Sequence, residues 1–270
     1  MEYINSIIFG AIQSLTEFLP ISSSGHLIIF HEVIKSELLN SITFDVILHG
    51  GTLLAVIIYF WQDVVKLVKG FFNSIFRRNL VSDSYQRLSW LIIIGTVPAA
   101  SVGYYFNDLI ENYFRNISWV IIMLVVGAIL FILAEKFSKK IRSIETMTVA
   151  DSVLIGLAQV LAFIPGMSRS GITIVAAMYK NFDRVTSARF SFLLSIPIIL
   201  GANIRKVTQF SLSDFSWAFI FVFILGAASA ALIGYFVIKY LLKFLTNHSL
   251  IPFAIYRIIL AIALYFVYIF

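Results

Sequence analysis

Cysteine is absent from the 270 residues. That excludes disulfides, thiolate nucleophiles and cysteine metal sites together. Charge is scarce: Asp, Glu, Lys and Arg make up 13% of the chain, where a soluble domain carries about 25%. No Lys or Arg precedes the first apolar run and no small-residue cleavage site follows it, so a cleaved signal peptide is not expected. Apolar side chains fill the space that charge leaves. The chain is 60% hydrophobic with 26 Phe, and its mean hydropathy is +0.95. Such a composition implies an integral membrane protein, in which each spanning helix takes about 20 apolar residues. The net charge of +6 then belongs to basic loops on one face of a bilayer rather than to a nucleic-acid surface.

The apolar pattern predicts an all-α protein forming a single membrane domain over 1–270. Residues 5–19 make an apolar limb too short to span, broken at Pro20 and followed by a second short limb over 26–34. A re-entrant hairpin fits this pattern, because an irregular tip at membrane depth must be covered by protein or water. Full spans are expected over 44–61, 88–106 and 117–135, with basic loops over 62–87 and 136–148. The pattern then recurs. A short limb over 149–164 ends at Pro165, a second runs over 172–179, and spans follow over 187–204, 215–238 and 251–270.

The recurrence is visible in particular residues. Gly10-x-x-Gln13-x-Leu15 is answered 146 positions later by Gly156-x-x-Gln159-x-Leu161, and Ser22-x-Ser24-Gly25 by Ser168-x-Ser170-Gly171. Residues 1–135 and 149–270 are therefore expected to be two repeats, each with one hairpin and three spans. Three is odd, so the second repeat enters the bilayer from the opposite side. The expected architecture is six transmembrane helices plus two re-entrant helical hairpins in an inverted-topology repeat. Lys and Arg fall mainly on one face, including Lys66, Lys69, Arg77, Arg78, Arg87, Lys136, Lys139, Lys140 and Arg142. The other face holds Lys35, Arg115, Arg205 and Lys206. By that bias both termini lie outside and the basic loops in the cytoplasm.

The two tips carry the chemistry. Glu17 has no basic neighbour in sequence, and a carboxylate deep in a bilayer costs roughly 2.5–3.5 kcal/mol, so it is a functional candidate by default. Gln13 shares its helix face four residues earlier. Ser22, Ser23, Ser24 and His26 follow the first break, and Ser168, Arg169, Ser170 and Thr173 follow the second. Helix N-termini opened by such residues bind phosphate, and Arg169 adds a planar donor fork. Phosphoryl chemistry follows, with Ser23 or His26 as nucleophile, His26 as acid or base, and Arg169 stabilising charge. Glu17 orients a base, acts as one, or holds a divalent cation. Gln13, Ser22, Ser24, Ser168, Ser170 and Thr173 are the expected substrate contacts.

QSLTEFLPISSSGH, residues 13–26, resembles the first signature of the bacterial undecaprenyl-diphosphate phosphatase (bacitracin-resistance) family, and PGMSRSGITI, residues 165–174, resembles the second. IPFAIYR, residues 251–257, is similar to a third shared segment. The resemblance covers essentially the whole chain. It implies an enzyme of the bacterial cytoplasmic membrane that hydrolyses the C55 polyprenyl diphosphate to the monophosphate carrier of cell-wall glycans, using Mg²⁺ or Ca²⁺. It places the key roles on Glu17, Ser23, His26, Ser168, Arg169 and Thr173. Position 13 is Gln, where the family pattern allows Glu, so Glu17 is left as the one carboxylate candidate for the metal. The implied partners are the polyprenyl diphosphate and membrane lipids, without nucleic acid, and a homodimer is allowed.

A transporter or flippase of a polyprenyl phosphate lipid is the competing class, since inverted repeats with broken helices are common in transporters. Residues outside the two signatures take structural readings. Arg257 is left inside the bilayer, with snorkelling toward the cytoplasmic end of its helix as the bland alternative to a role there. His49, in LHGGT, is expected to be a helix-packing residue beside glycines, and His31 and His248 to be interfacial. Asp45 and Asp151 suit helix starts.

Overall fold

The computed structural model describes residues 1–34, 36, 39, 41–76, 83–114, 116–207 and 217–270. Lys35, Arg77, Arg78 and Arg115, which entered the charge count above, lie outside the described residues, as does the side chain of His31. Twelve α-helices are described: α1 (Glu2–Phe18), α2 (Ser23–Val33), α3 (Ile42–Tyr59), α4 (Trp61–Phe76), α5 (Ser84–Tyr105), α6 (Asn107–Phe114), α7 (Ile117–Phe137), α8 (Val149–Val160), α9 (Arg169–Tyr179), α10 (Arg184–Val207), α11 (Trp217–Asn247) and α12 (Ile251–Tyr268). Among the described residues β-pairing is limited to one isolated bridge, Arg142 with Phe182. The protein is an all-α, multi-pass membrane protein. Five helices, α5, α7, α10, α11 and α12, are long and apolar enough to cross a bilayer, and the bent pair of α3 and α4 supplies a sixth crossing when counted as one span.

Two departures from the sequence expectation have simple causes. Much of the stretch expected as a loop over 62–87 is the helix α4, bent 86° from α3. Its buried residues Leu67, Gly70 and Ser74 recur at three and four positions, while Lys66 and Lys69 are exposed. That is the pattern of an amphipathic helix lying along an interface. Its ends are tied down: Arg189 and Tyr85 both donate to Asp63 Oδ1, at 2.8 and 3.1 Å, and Trp90 Nε1 donates to Ser74 Oγ at 2.9 Å. In addition, α11 runs on to Asn247, through residues that the charge pattern suggested were loop.

Both hairpins break where proline forces them to. The residue before proline is pushed out of the helical region. Leu19, before Pro20, is extended at φ −64, ψ 136, and Ile164, before Pro165, at φ −79, ψ 118. The hairpin α1–α2 packs on α3 and on α11 from the other half of the chain, and α8–α9 packs on α10 and on α5 from the first half. Small residues let the backbones meet, as between membrane helices. A Cβ on Gly10 would land on the Gly226 carbonyl, and one on Gly156 on the Gly95 carbonyl. Ser6 and Ser14 donate to the Val222 and Ala230 carbonyls of α11, and Ser152 donates to the Leu91 carbonyl of α5. Around these contacts lies an aromatic core, with Phe18 edge-on to Phe192 at 5.6 Å.

Charges at the helix ends are paired rather than loose. Arg184 makes two bonds to Glu135, at 2.8 and 2.6 Å, and Glu135 also accepts from the Leu250 amide at 2.8 Å. Asp151 is a helix-start residue as expected, in a capping box with Thr148, and it also receives Arg142 at 2.6 Å.

The α8–α5 contact has no room for a side chain, whereas a methyl group added at Gly201 of α10 would have nothing within 4 Å. Gly156→Val is expected to lower the unfolding midpoint in detergent by the equivalent of about 1–3 kcal/mol. Gly201→Ala is expected to leave it unchanged or raise it slightly. Equal midpoints for the two variants, measured by thermal unfolding, would refute this account of the packing.

Candidate active site

Each hairpin tip is built the same way. Ser22 and Ser168 are N-caps with φ of 78 and 72. This left-handed region is costly for a serine, about 1–3 kcal/mol, and such strain is concentrated at functional sites. Each cap oxygen accepts from the amide three residues on, Gly25 at 3.4 Å and Gly171 at 3.2 Å. Each also meets the hydroxyl two residues on, Ser24 at 3.2 Å and Ser170 at 3.3 Å. The amides next to the caps open the first turns of α2 and α9, where the helix dipole is positive.

The tips are then locked together. Gly166 donates its amide to Ser24 Oγ at 3.3 Å, and Ser170 Oγ donates to the Glu17 carbonyl at 2.9 Å. Arg257 binds them from behind. It is fully buried, with no carboxylate among its bonds, and its guanidinium is spent on five carbonyls: Leu124 at 3.1 Å, Pro20 at 3.3 Å, Met167 at 3.0 Å, Met123 at 2.8 Å and Gly166 at 2.9 Å. Five is the full donor capacity of the side chain. The snorkelling alternative for Arg257 does not hold. The breaks of the two hairpins leave the Pro20, Gly166 and Met167 carbonyls outside any helix, and a guanidinium is the group that can bond all three while also reaching two carbonyls of α7.

Glu17 sits at the junction, 6% exposed. One carboxylate oxygen takes the Arg169 guanidinium. The other accepts from Ser23 Oγ at 2.7 Å and from Gln13 Nε2 at 3.3 Å, and lies 3.9 Å from His49 Nδ1. Gln13 Nε2 also lies 3.0 Å from His49 Nδ1. Donation from the amide assigns Nδ1 as acceptor and leaves the ring proton on Nε2. In front of this cluster is a cavity of about 470 Å³ lined by Glu17, Ser23, Ser24, Ser168 and Arg169, with His49, Asp45, Gln159, Asn203 and Lys206.

The remaining predicted residues stand elsewhere. The cavity lining does not include Gln13, Ser22, Ser170 or Thr173. Gln13, Ser22 and Ser170 hold the lining groups in place through the bonds above. Thr173 is internal to the packing, donating to the Arg169 carbonyl at 2.8 Å and meeting Ser191 Oγ of α10 at 2.6 Å. His26 is also set apart from the cavity. Its Nδ1 lies 2.7 Å from the Ser22 carbonyl, which must accept, so the ring proton is on Nδ1. Its Nε2 then accepts from Tyr256 OH at 2.7 Å, and the two rings stack. Spacing had set His26 beside Ser23 on one helical turn, but the α2 ring points to α12 instead.

Sequence reasoning missed His49 as a cavity residue. The signal was present, since an ionisable side chain within a predicted span is a functional candidate by default, but two adjacent glycines suggested packing. For a divalent cation, Glu17 offers a single carboxylate already engaged by Arg169 and Ser23. No group of three His, Asp or Glu suited to a metal occurs among the described residues. This donor set does not make a cage by itself. It suits the other usual arrangement, one carboxylate plus substrate phosphate oxygens.

A family model described as bacitracin resistance protein BacA matches residues 6–263. The chain belongs to that family. Its relatives include an undecaprenyl-diphosphatase of Geotalea daltonii, 42% identical over 96% of this chain and 95% of that one. Another, of Thermodesulfovibrio yellowstonii, is 40% identical over 100% and 98%. A third, of Thermomicrobium roseum, is 37% identical over 98% and 97%. Membership extends over both hairpins and the Arg257 clasp, so the site described above lies wholly within the family's matched region.

The clasp can be tested. Arg257→Lys keeps the charge, but its three donors share one nitrogen and leave buried carbonyls bare, at about 1–3 kcal/mol each. The variant is expected to lose at least about tenfold in turnover and to unfold at a lower temperature. A wild-type unfolding midpoint in that variant would show that the five bonds do not hold the tips.

Proposed function

We propose that this chain is a membrane-embedded undecaprenyl-diphosphatase, which converts undecaprenyl diphosphate to undecaprenyl phosphate and inorganic phosphate. In that role it recycles the lipid carrier of peptidoglycan and other cell-wall glycans, and so supports bacitracin resistance. The observation that carries the reading is Glu17, a buried carboxylate that binds a serine hydroxyl and a guanidinium at the meeting point of two helix N-termini. A pure lipid carrier has use for the guanidinium and the helix ends but none for a serine held against a base, and the relatives named above are phosphatases.

The reaction follows from the bonds. The diphosphate enters the cavity with its terminal phosphate at the first turns of α2 and α9, where free amides and Arg169 neutralise its charge. Glu17 accepts the Ser23 proton as Ser23 Oγ attacks the terminal phosphorus. The bond from that phosphorus to the bridging oxygen breaks, and the prenyl monophosphate leaves with the bridging oxygen. His49, with its proton on Nε2, is the group placed to donate a hydrogen bond to that oxygen, and Glu17 passes the Ser23 proton to the departing phosphate. Water, giving a proton to the freed Glu17 carboxylate, then attacks the phosphoserine; the Ser23 oxygen leaves, taking that proton back, and inorganic phosphate is released. Glu17 would hold a divalent cation, Mg²⁺ or Ca²⁺, together with phosphate oxygens of the substrate, and the cation would neutralise phosphate charge. His26 positions the Ser22 cap. All these groups belong to one chain, so a homodimer would add none of them.

Ser23→Ala is expected to lower phosphate release by about 10² or more, while His26→Ala keeps activity within about tenfold of wild type. Release from a long-chain prenyl diphosphate by purified variants, with and without chelator, measures both. Collapse in His26→Ala with survival in Ser23→Ala would transfer the nucleophile to His26. No release by the wild-type protein would leave the carrier reading in place.

The protein is proposed to lie in the bacterial cytoplasmic membrane with both termini outside, supported by the Lys and Arg bias. The absence of native cysteine gives a clean background for labelling. Asn116→Cys is expected to react with an impermeant thiol reagent in intact cells, and Asn247→Cys to react only after lysis. The reverse result would invert the orientation.

A further inference from the structure

Gln159, on α8, is 2% exposed. Both its amide oxygen and its amide nitrogen are buried without a hydrogen-bond partner. Buried side-chain amides are almost always bonded, and an exception calls for an explanation. Gln159 lines the same cavity as Glu17, Ser23 and Arg169, so its unsatisfied amide is buried in the wall of the space that a ligand fills.

The corresponding position of the first hairpin shows what is missing. Gln13, 146 residues earlier, has its amide nitrogen on Glu17 and His49. The same offset from Glu17 and His49 leads to Phe163 and Ser195. Phe163 offers nothing to bond, and Ser195 donates its hydroxyl to the Phe192 carbonyl at 2.6 Å. The second hairpin thus lacks the groups that bond the amide nitrogen in the first, where the Gln13 amide oxygen is likewise without a hydrogen-bond partner.

We propose that Gln159 is a substrate-contact residue whose amide nitrogen donates to the phosphate that bears the prenyl chain. This rests on the phosphatase reading of the cavity. An amide has two N–H donors and phosphate oxygens are acceptors, so the match needs no further charge beside Glu17. The choice of phosphate follows from the surroundings. Glu17, Ser23 and Arg169 take the terminal phosphate, which reacts. Gln159 is followed on its own limb by Ala162 and Phe163, apolar members of the lining, which suit the lipid end of the substrate. The amide oxygen then accepts from a water or hydroxyl carried in with the ligand.

The test uses a prenyl diphosphate whose bridging oxygen is replaced by methylene, so that binding is read without turnover. Gln159→Leu preserves the shape and removes the unsatisfied atoms. Its unfolding midpoint is expected to be at least that of wild type. Its Kd for the analogue, and its inhibition constant for prenyl monophosphate, are expected to weaken about tenfold, while inhibition by inorganic phosphate stays the same. Gln159→Glu, which places a carboxylate against the phosphate, is expected to weaken analogue binding further. A Kd within twofold of wild type in Gln159→Leu overturns the proposal, as does an equal weakening toward inorganic phosphate and prenyl monophosphate. Wild-type protein that binds the analogue but releases no phosphate from the natural diphosphate overturns the phosphatase reading instead, and leaves the Gln159 contact to be decided by the Kd values.

Discussion

Inside a bilayer, a helix that stops must have its backbone groups satisfied by protein. This chain stops two helices there, at Pro20 and Pro165, and the rest of the structure is the consequence. Arg257 gives three of its donors to the carbonyls left at the two breaks and two to carbonyls of α7, which tie the breaks to that helix. Ser22 and Ser168 accept from the amides at the other side of each break. Without those bonds two interrupted helices in hydrocarbon would cost several kcal/mol for each bare group.

Satisfying the backbone in this way also creates the reactive centre. The caps occupy only one amide each, so further amides of the first turns of α2 and α9 are left for an anion. The clasp behind them brings Arg169 onto Glu17, residues 152 positions apart in sequence. The carboxylate is then fixed by a cation on one oxygen and by Ser23 on the other. A base held against its nucleophile at a buried junction is preorganised, and little rearrangement is needed when the phosphate arrives.

The two tips share a backbone design and differ in side chains. Where the first has Glu17 the second has Phe163, and where the first half has His49 the second has Ser195. The acid–base groups are therefore supplied by the first half of the chain, and the guanidinium with an unpaired amide by the second. A diphosphate has the same asymmetry, with one phosphate that reacts and one that carries the lipid.

Composition and periodicity determined much of this before any coordinates. The membrane class follows from 60% apolar residues, because burial of apolar surface does not depend on the details of packing. The breaks follow from proline, and the helix starts from the serines after it, because both act through the local backbone. Glu17 and Arg169 were legible as costly charges in apolar surroundings. Ring direction was not legible. His26 and His49 lie on different helices, and only packing decided that His26 turns to Tyr256 while His49 faces Glu17 through Gln13. Nor was the role of Arg257 legible, since its five partners come from three distant segments. Local sequence sets where a helix ends, but which side chain meets the exposed end depends on the tertiary fold.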